Sequence, residues 1–340
     1  MSSPGYISSD KLNKGVRVES LTGEMIGQDG MFARSHFQLP TPPDGFHIAM
    51  PGRALRFVTP KMLETFDQIE RAVVLECAGN GRAMMDPVPD GVPWRHGGVS
   101  PISVRGVRLA DVLGNLPESV VDVVFTGADR GVVGRLGSIP YQYSIDRDLA
   151  LSNLPILATH IGNQPLNVEH GAPVRLIVPG HYGMKSVKWL TRVEGVRDEF
   201  EGYFVKEYRF YSDPEREEAA PVDEIEVKSV ISSPFDGDTW VGAMDVRGSA
   251  WTGHGTVASV EVSIDGGATW HEADLAQRET GGPWGPVRWS AVVTAEPGTV
   301  TIMARATDTS GATQPLNPPW NSRGYANNAV HSVTVQVLED

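Results

Sequence analysis

The segment VVLECAGNGR, residues 73–82, is the most informative part of the sequence. An apolar run ends at Glu76, and Cys77 follows it directly, ahead of two glycines and an asparagine. Because glycine and asparagine accept backbone conformations with positive φ, the loop can bring Cys77 out of a strand and close to a ligand. Arg82, at the end of the segment, favours the thiolate of Cys77 over its thiol. The pattern therefore predicts a strand that ends in a cysteine-bearing loop.

Cys77 is the one cysteine among 340 residues, which limits the chemistry of the chain. A single sulfur excludes an intrachain disulfide, a four-thiolate zinc site and a CxxCH haem attachment. Three interpretations of Cys77 stay open at this point. It is a small buried hydrophobic residue, a nucleophile with one of nine histidines as its base, or the single thiolate ligand of a soft metal whose other ligands come from a cofactor.

The length and composition indicate a folded protein of two domains, since roughly 100–200 residues form one domain. With 40% hydrophobic and 21% charged residues, the chain can bury sizeable cores. The 37 glycines and 25 prolines disfavour an all-helical bundle. A formal net charge of −13 opposes binding to nucleic acid or to an anionic membrane. Any anionic ligand would have to meet a local cluster of basic residues.

The N-terminal sequence MSSPGYISSDKLNKG has neither a charged n-region nor an apolar h-region. No apolar run in the chain approaches the ~18 residues that a membrane helix needs. We therefore expect a soluble chain without an export signal, which is cytoplasmic as written, or periplasmic if a leader has been removed.

An acidic segment at 213–228, DPEREEAAPVDEIEVK, predicts a solvated connector between a first domain at 1–212 and a second at 229–340. In the first domain, strand-like runs alternate with short helical candidates, and Thr59-Pro60 marks the clearest helix start. Helices and strands mix without a regular βαβ period, so the predicted fold class is α+β, with a mixed α/β first domain. The clearest strand-like runs are RAVVLE at 71–76, VVDVVF at 120–125 and VRLIVP at 174–179.

The second domain has the alternating pattern of an all-β fold. Residues 257–275 predict a hairpin that turns at Asp265-Gly266, and the runs at 300–314 and 329–337 continue the meander. About 115 residues of such strands predict an immunoglobulin-like sandwich, although the chain has no cysteine pair to support it.

Further segments extend the pattern that begins with the cysteine loop. They are FARSHF at 32–37, Trp94, HGAPVRLIVPGHYGMKSVKWL at 170–190, KEY at 206–208 and WNSRGY at 320–325. Together with CAGNGR at 77–82, and in this order, they resemble the sulfite oxidase family of molybdenum enzymes, in its haem-free bacterial form. The resemblance extends over roughly residues 20–338 and rests on several independent motifs.

The resemblance implies a molybdenum cofactor. Cys77 would be the one protein ligand of the metal, whose other sulfur ligands come from the dithiolene of a pterin, molybdopterin. The residues implied to hold the pterin and its phosphate are His36, Asp129, Ser144, His170, Arg175, Lys185, Ser186 and Lys188.

The resemblance also implies a substrate pocket on the open side of the metal. Arg34, Arg82 and Arg323 would converge there on an oxyanion, because a guanidinium stays protonated and offers a planar fork of donors. Tyr208 would hydrogen-bond an oxygen on the metal or substrate, and Trp94 would form part of the pocket wall. This cluster would create a locally positive pocket in a negatively charged protein.

The implied reaction is molybdenum-dependent oxygen-atom transfer that oxidises sulfite to sulfate. Tyr208 and Arg323 favour sulfite, because the related nitrate reductases tend to replace both residues. The electrons would pass to an external acceptor such as a cytochrome, and the second domain would form a homodimer interface. The chain departs from the family pattern at Thr159-His160, at Val104 and at Val205-Lys206-Glu207.

Other functions remain open. Within the family, the alternative is an enzyme that acts on a sulfoxide, nitrate or another small oxyanion. From a different class, a cysteine hydrolase would use Cys77 as the nucleophile and a histidine as the base. A non-catalytic binding module would account for the second domain but not for the cysteine loop and the arginine motifs.

Overall fold

The computed structural model describes residues 12–210, 219–276 and 282–339. Part of the segment on which the leader expectation rests, residues 1–11, lies outside the described residues. The same holds for residues 213–218 of the acidic segment.

The first half of the chain is mostly β. Its strands are β1 Asn13–Lys14, β2 Ala33–Arg34, β3 Phe46–Ala49, β4 Arg56–Val58, β5 Gln68–Glu76, β6 Val99–Arg108, β7 Asp122–Val132, β8 Ser138–Asp146, β9 Ile156–Ile161, β10 Gln164–Pro165, β11 Arg175–Ile177 and β12 Leu190–Val196. The α-helices are α1 Pro60–Leu63, α2 Leu109–Leu113, α3 Arg147–Leu151 and α4 Tyr203–Glu207.

The helical share of the α+β expectation was too large. Each α-helix in the described residues has four or five residues, because the apolar runs pair as strands and leave only short connections between them. The predicted start at Thr59-Pro60 is present: the Thr59 hydroxyl accepts the Met62 N–H at 3.3 Å, and Pro60 takes the first helical position. This helix nevertheless ends at Leu63.

Besides the two-stranded sheet β1-β2, the first half contains two five-stranded sheets. One has the order β10-β9-β6-β5, with β11 also paired to β9, and the other has the order β4-β3-β12-β7-β8. Neighbours in these sheets are antiparallel except β3 and β12. The predicted strand at 71–76 is the end of β5, and the strands predicted at 120–125 and 174–179 overlap β7 and β11.

The second half consists of two sheets packed around a common apolar core. Its strands are β13 Lys228–Ser233, β14 Thr239–Val241, β15 Met244–Trp251, β16 Val257–Ser263, β17 His271–Glu272, β18 Asp274–Leu275, β19 Val287–Val293, β20 Gly298–Asp308 and β21 His331–Leu338. The sheet orders are β13-β15-β19-β18 and β14-β21-β20-β16-β17. The predicted hairpin at Asp265-Gly266 is present, because β16 and β17 pair on either side of it.

The two halves are joined by buried contacts. Val222, Ile225 and Val227, in the described part of the acidic segment, are fully buried. Val222 and Ile225 belong to the same apolar cluster as Val230 and Trp251 of the second half. The Ser249 hydroxyl also donates to the Leu21 carbonyl at 2.7 Å. Separately, no helix within the three described ranges has the length and apolar content needed to cross a bilayer.

Candidate functional site

The cysteine loop follows β5 as the sequence predicts. The Asn80 N–H donates to the Cys77 carbonyl at 2.9 Å, which closes a tight turn. Gly81 has φ of +87°, the left-handed conformation that favours glycine. Gly79 is required for a different reason, because a Cβ there would lie 2.6 Å from Arg82 Nη2. The loop thus turns at Gly81 and makes room for Arg82 at Gly79.

The Cys77 side chain lies in the wall of a cavity of about 670 Å³, measured out to its open mouth. Both five-stranded sheets of the first half contribute to this wall, since Cys77 follows β5, Arg175 begins β11, and Asp129 and Tyr141 lie in β7 and β8. Nine of the predicted site residues line the cavity. They are Arg34, His36, Cys77, Asp129, His170, Arg175, Ser186, Lys188 and Tyr208.

Arg175 is the most deeply placed cation of this wall, with 4% of its surface exposed. Its Nη1 and Nη2 groups donate to the carbonyls of His170 and Ser186, each at 3.0 Å. Its Nε has no hydrogen-bond partner in the described residues, and no carboxylate of those residues pairs with the guanidinium. Burial lowers the pKa of Arg175. A buried charge without a counterion is costly, so this site favours an anionic ligand.

Lys188 and Asp129 are two further ionisable residues of the cavity wall. The Lys188 ammonium donates to the Glu169 carbonyl at 2.9 Å and lies 4.1 Å from the centre of the Trp189 ring. Burial, together with Arg175, lowers the pKa of Lys188 to about 7. Burial raises the pKa of Asp129 to about 6, against the opposing effect of Lys188. An anion bound beside Lys188 would favour its charged form.

A β-bulge brings Asp129 into the cavity. The register between β7 and β8 shifts between Thr126 and Arg130, so the residues between them are not in regular pairing. Such a bulge redirects a side chain that strand alternation would otherwise place elsewhere. Gly127 is needed in this bulge, because a Cβ there would lie 2.5 Å from Asp129 Oδ1.

The two histidines of the cavity wall are held by neighbouring groups. His170 donates through Nε2 to the Gln28 carbonyl at 2.9 Å. Burial, followed by Arg175, lowers the pKa of His170 to about 3, so the ring is neutral. His36 Nδ1 lies 3.4 Å from Arg34 Nη2, and its Nε2 lies 2.7 Å from the Tyr208 hydroxyl oxygen.

This arrangement sets the direction of the Tyr208 proton. A guanidinium only donates, so Nδ1 of His36 accepts from Arg34 and Nε2 carries the ring proton. The Tyr208 oxygen then accepts from His36, which leaves the phenolic O–H of this cavity-wall residue available to donate to another group. Burial raises the pKa of Tyr208, so the phenol keeps this proton near neutral pH.

Five of the predicted residues do not line the cavity. Arg82 is buried beside it, where Nε donates to the Arg323 carbonyl at 2.7 Å and Nη1 to the Val92 carbonyl at 2.9 Å. The Arg323 guanidinium pairs with Glu207 at 3.1 Å and is partly exposed. Arg82 and Arg323 are thus in contact through a hydrogen bond, but of the three arginines only Arg34 lies in the cavity wall.

Trp94, Ser144 and Lys185 are the other three. Trp94 is buried behind Phe32, with the ring centres 6.3 Å apart. Ser144 lies on the opposite face of β8 from Tyr141, since side chains alternate along a strand. Lys185 is turned toward Asp223, with which it forms an ion pair. Lys185 is therefore not among the residues of the cavity wall, and its contact with the cofactor stays a prediction.

Tyr325 is a residue near the site that the sequence did not reveal. Its ring stacks on Tyr208, with the ring centres 5.2 Å apart and the planes at 29°. The Arg82 guanidinium lies 5.4 Å from the centre of the same ring. Tyr325 is the last residue of the matched WNSRGY segment, which is the one signal that could have indicated it. Tyr325 itself does not line the cavity; the wall residues that the sequence did not reveal include Phe32, Ser35, Tyr141, Met184 and Trp189.

The donor set of the cavity fits an anionic, sulfur-bearing metal cofactor. Cys77 offers a thiol that suits a soft metal. Arg34, Arg175 and Lys188 outnumber the one acid of the wall, Asp129, and the Arg175 Nε is a buried donor without a partner among the described residues. Those residues contain no group of three or more His, Cys, Asp or Glu side chains that could hold a metal by themselves. This mostly β structure with its cavity therefore fits the class of proteins that bind a metal through an organic cofactor.

Comparison with known proteins identifies the family within this class. Residues 37–204 match the description "Oxidoreductase molybdopterin binding domain", and residues 219–338 match "Mo-co oxidoreductase dimerisation domain". The chain is 35% identical over 334 residues to the mitochondrial sulfite oxidase of Rattus norvegicus, which covers 90% of this chain and 60% of the relative. It is 34% identical over 327 residues to the sulfite oxidase of Gallus gallus, and this match covers 88% of this chain and 70% of the relative. The chain belongs to the sulfite oxidase family of molybdopterin oxidoreductases.

A solved structure supports the same fold. The sulfane dehydrogenase SoxCD of Paracoccus pantotrophus matches with a TM-score of 0.82 at 24% identity, over 99% of this chain and 86% of that one. The chain spans 60% of the length of the mammalian relatives it matches. Its cofactor is molybdopterin with molybdenum, as the family match and the donor set of the cavity both indicate.

Proposed function

We propose that the protein oxidises sulfite to sulfate, with the added oxygen atom taken from water and with two protons and two electrons released. The observation that carries this proposal is that Cys77 shares one cavity with Arg34 and with the phenolic donor of Tyr208. The bound cofactor supplies the two-electron redox chemistry and the oxygen-atom transfer, as cofactors do in such enzymes. The similarity to rat and chicken sulfite oxidases supports the choice of substrate.

Most of the cavity residues would hold the cofactor. Cys77 would ligate the metal through its thiolate. Arg175, Lys188 and Ser186 would hold the anionic part of the pterin, with Asp129, His36 and His170 as further polar contacts. Since Arg175 is buried and Lys188 is half-buried, their charges act in a medium that screens them less than bulk water does, and each contact counts for more than at a surface.

Arg34 and Tyr208 would bind and orient the sulfite dianion. Arg34 offers a planar fork of donors in the cavity wall, and the Tyr208 hydroxyl can donate beside it while its oxygen accepts from His36. A donor that is already oriented stabilises developing charge without rearranging during the reaction. Arg82 supports this pair from behind, because it packs on Tyr325, which in turn stacks on Tyr208. Arg323 would extend the positive field at the surface.

We also propose how the rest of the chain serves this activity. Residues 1–212 would form the catalytic domain, 213–228 the connector and 229–340 an immunoglobulin-like domain. The two packed sheets of the second half support the sandwich, and the dimerisation description of 219–338 supports a homodimer. The electrons would leave one at a time to an external acceptor of the cytochrome type.

Replacement of the thiol tests the proposal most directly. Cys77→Ala is expected to abolish sulfite-dependent reduction of ferricyanide, while Ser144→Ala, which is partly buried on the far face of β8, should keep it. Molybdenum content, measured by elemental analysis on the same samples, separates loss of the cofactor from loss of chemistry. Full turnover by a Cys77→Ala variant with full molybdenum occupancy would exclude this mechanism.

The hydrolase alternative finds less support in the cavity. His170 is neutral and donates to Gln28, and His36 is engaged by Arg34 and Tyr208. A hydrolase would be free of metal and would lose esterase or amidase activity when Cys77 is alkylated. Elemental analysis of the purified protein distinguishes the two functions in one measurement.

A further inference from the structure

The backbone of the cysteine loop is held from the far end of the sequence. The Ala326 N–H donates to the Ala78 carbonyl at 2.8 Å, and the Asn327 side chain donates to the Gly81 carbonyl at 2.7 Å. The bond from Arg82 Nε to the Arg323 carbonyl, at 2.7 Å, is a third contact of this kind. Residues 323–327 therefore fix the part of the loop that follows Cys77.

Glu76 fixes the part that precedes it. This carboxylate is completely buried, and its two oxygens accept three side-chain donors. Oε1 accepts from Lys228 Nζ at 2.6 Å and from Asn80 Nδ2 at 2.8 Å. Oε2 accepts from Trp251 Nε1 at 2.7 Å. Two of the three donors belong to the second half of the chain, on β13 and β15.

The direction of Cys77 depends on this network. Glu76 is the last residue of β5, and successive side chains of an extended strand point to opposite sides. With the Glu76 carboxylate fixed on one side and the Cys77 N–H bonded to the Gly98 carbonyl at 2.8 Å, the thiol is directed toward the cavity. The Asn80 side chain completes the arrangement, because it donates to Glu76 and accepts the Gly98 N–H at 2.9 Å.

We propose that Glu76 is a positioning residue for the Cys77 thiol, and that Lys228 and Trp251 of the second domain hold it in place. The second domain then has a function beyond dimerisation, since it determines how the metal ligand is presented. This inference rests on the proposed role of Cys77 as the metal ligand. It makes no use of the identity of the substrate.

The reactivity of Cys77 toward an aromatic disulfide reagent, 5,5′-dithiobis(2-nitrobenzoic acid), tests the inference. Cys77 is the one cysteine of the chain, so the release of thionitrobenzoate reports this residue alone. The rate is measured on the purified full chain with its cofactor and after the cofactor is removed, well below the unfolding temperature of every variant. Glu76→Gln removes the charge, and Trp251→Phe removes one donor while it keeps the ring packing. Glu261→Gln is the matched control, since Glu261 pairs with Arg305 at 2.9 Å in the second domain.

Glu76→Gln is expected to change the rate at Cys77 in the cofactor-free protein by about tenfold or more, the factor expected when a hydrogen bond to a charged group is lost. Trp251→Phe should give a smaller change in the same direction, and Glu261→Gln should give none. Molybdenum content should fall in the same order. A merely structural Glu76 would lower the unfolding temperature and leave the rate and the molybdenum content unchanged.

Two results would overturn the inference. One is an unchanged rate in both Glu76→Gln and Trp251→Phe, and the other is an equal change in Glu261→Gln. If Glu76→Gln does not fold, Trp251→Phe decides the question alone. The parent protein tests the metal ligand separately: a thiol that reacts equally fast with and without molybdenum argues against the proposed function, while the ratio between variants still reports on Glu76.

Discussion

Arg175 and Lys228 are equally buried, each with 4% of its surface exposed, yet their surroundings differ. Lys228 lies 2.6 Å from the Glu76 carboxylate, so its charge is balanced within the protein. Arg175 donates to two carbonyls and has no carboxylate partner within the described residues. A balanced buried charge is a structural element, whereas an unbalanced one beside a cavity indicates an anionic ligand. The contrast separates the binding wall from the contact that joins the two halves.

The largest expected effect is the loss of the balanced pair. Lys228→Met should lower the free energy of unfolding by about 3–5 kcal/mol, because it leaves the Glu76 carboxylate buried without its cation. Urea denaturation of the purified protein measures this change. Lys206→Met is the control, since Lys206 pairs with Glu201 at an exposed site, and its effect should be much smaller. Equal effects of the two substitutions would remove the distinction between buried and exposed pairs.

The next effect concerns the unbalanced cation. Arg175→Met should weaken cofactor retention by about 10–100-fold, the cost of losing charged hydrogen bonds to an anion. The cofactor-free variant should be no less stable than the parent, because a buried charge without a counterion has been removed. Molybdenum content after dialysis and the denaturation midpoint measure the two quantities. A variant that loses stability but keeps its molybdenum would show that Arg175 is structural.

A pH dependence sharpens the contrast further. The pKa of Lys188 is lowered to about 7 in the folded chain, so above pH 7 the unfolded state binds more protons than the folded state. The stability of the cofactor-free protein should therefore rise with pH above about 7, relative to a Lys188→Met variant, until the unfolded lysine also titrates near pH ~10.4. Denaturation midpoints of both proteins from pH 6 to 9 measure this difference. A constant difference over that range would contradict the expected linkage.

The smallest effect is expected at the exposed edge of the site. Arg323→Met should raise the KM for sulfite severalfold, because the partly exposed guanidinium contributes to the positive field while it pairs with Glu207. Glu207→Gln tests the same pair from the other side and should lower the KM or leave it unchanged. Steady-state kinetics at two salt concentrations measures both, and an unchanged KM in Arg323→Met would show that its charge does not contribute to sulfite binding.

The cysteine loop was predictable because its signal is local. The apolar run before Cys77 indicates β5, and the glycines at 79 and 81 indicate a tight turn and a close approach. The strands of the second half follow from alternation in the same way. The length of the helices was harder to predict. Thr59-Pro60 indicates where a helix starts, but it does not show that this helix ends after one turn, at Leu63, and that β5 begins soon afterwards.

The positions of single side chains relative to the cavity were less predictable for one common reason: the direction of a side chain depends on its tertiary partners. Lys185 and Lys188 are three apart in one motif, but Asp223 draws the first away and Glu169 holds the second at the cavity. Ser144 faces away from the cavity because side chains alternate between the two faces of β8, and the sequence alone does not show which face borders the cavity. Asp129 reaches the cavity through a β-bulge in β7, which the sequence pattern did not predict. Motif position locates a residue along the chain but not the side to which it points.

The contacts that hold the cysteine loop have a consequence for biosynthesis. The bonds from Arg82 and from Asn327 join residues that are 241 and 246 positions apart in the chain. The ribosome therefore has to synthesise and release the chain as far as these distant residues before the loop can adopt its final form. Insertion of the cofactor should therefore follow translation of both halves, so that a partly made chain does not capture molybdenum prematurely.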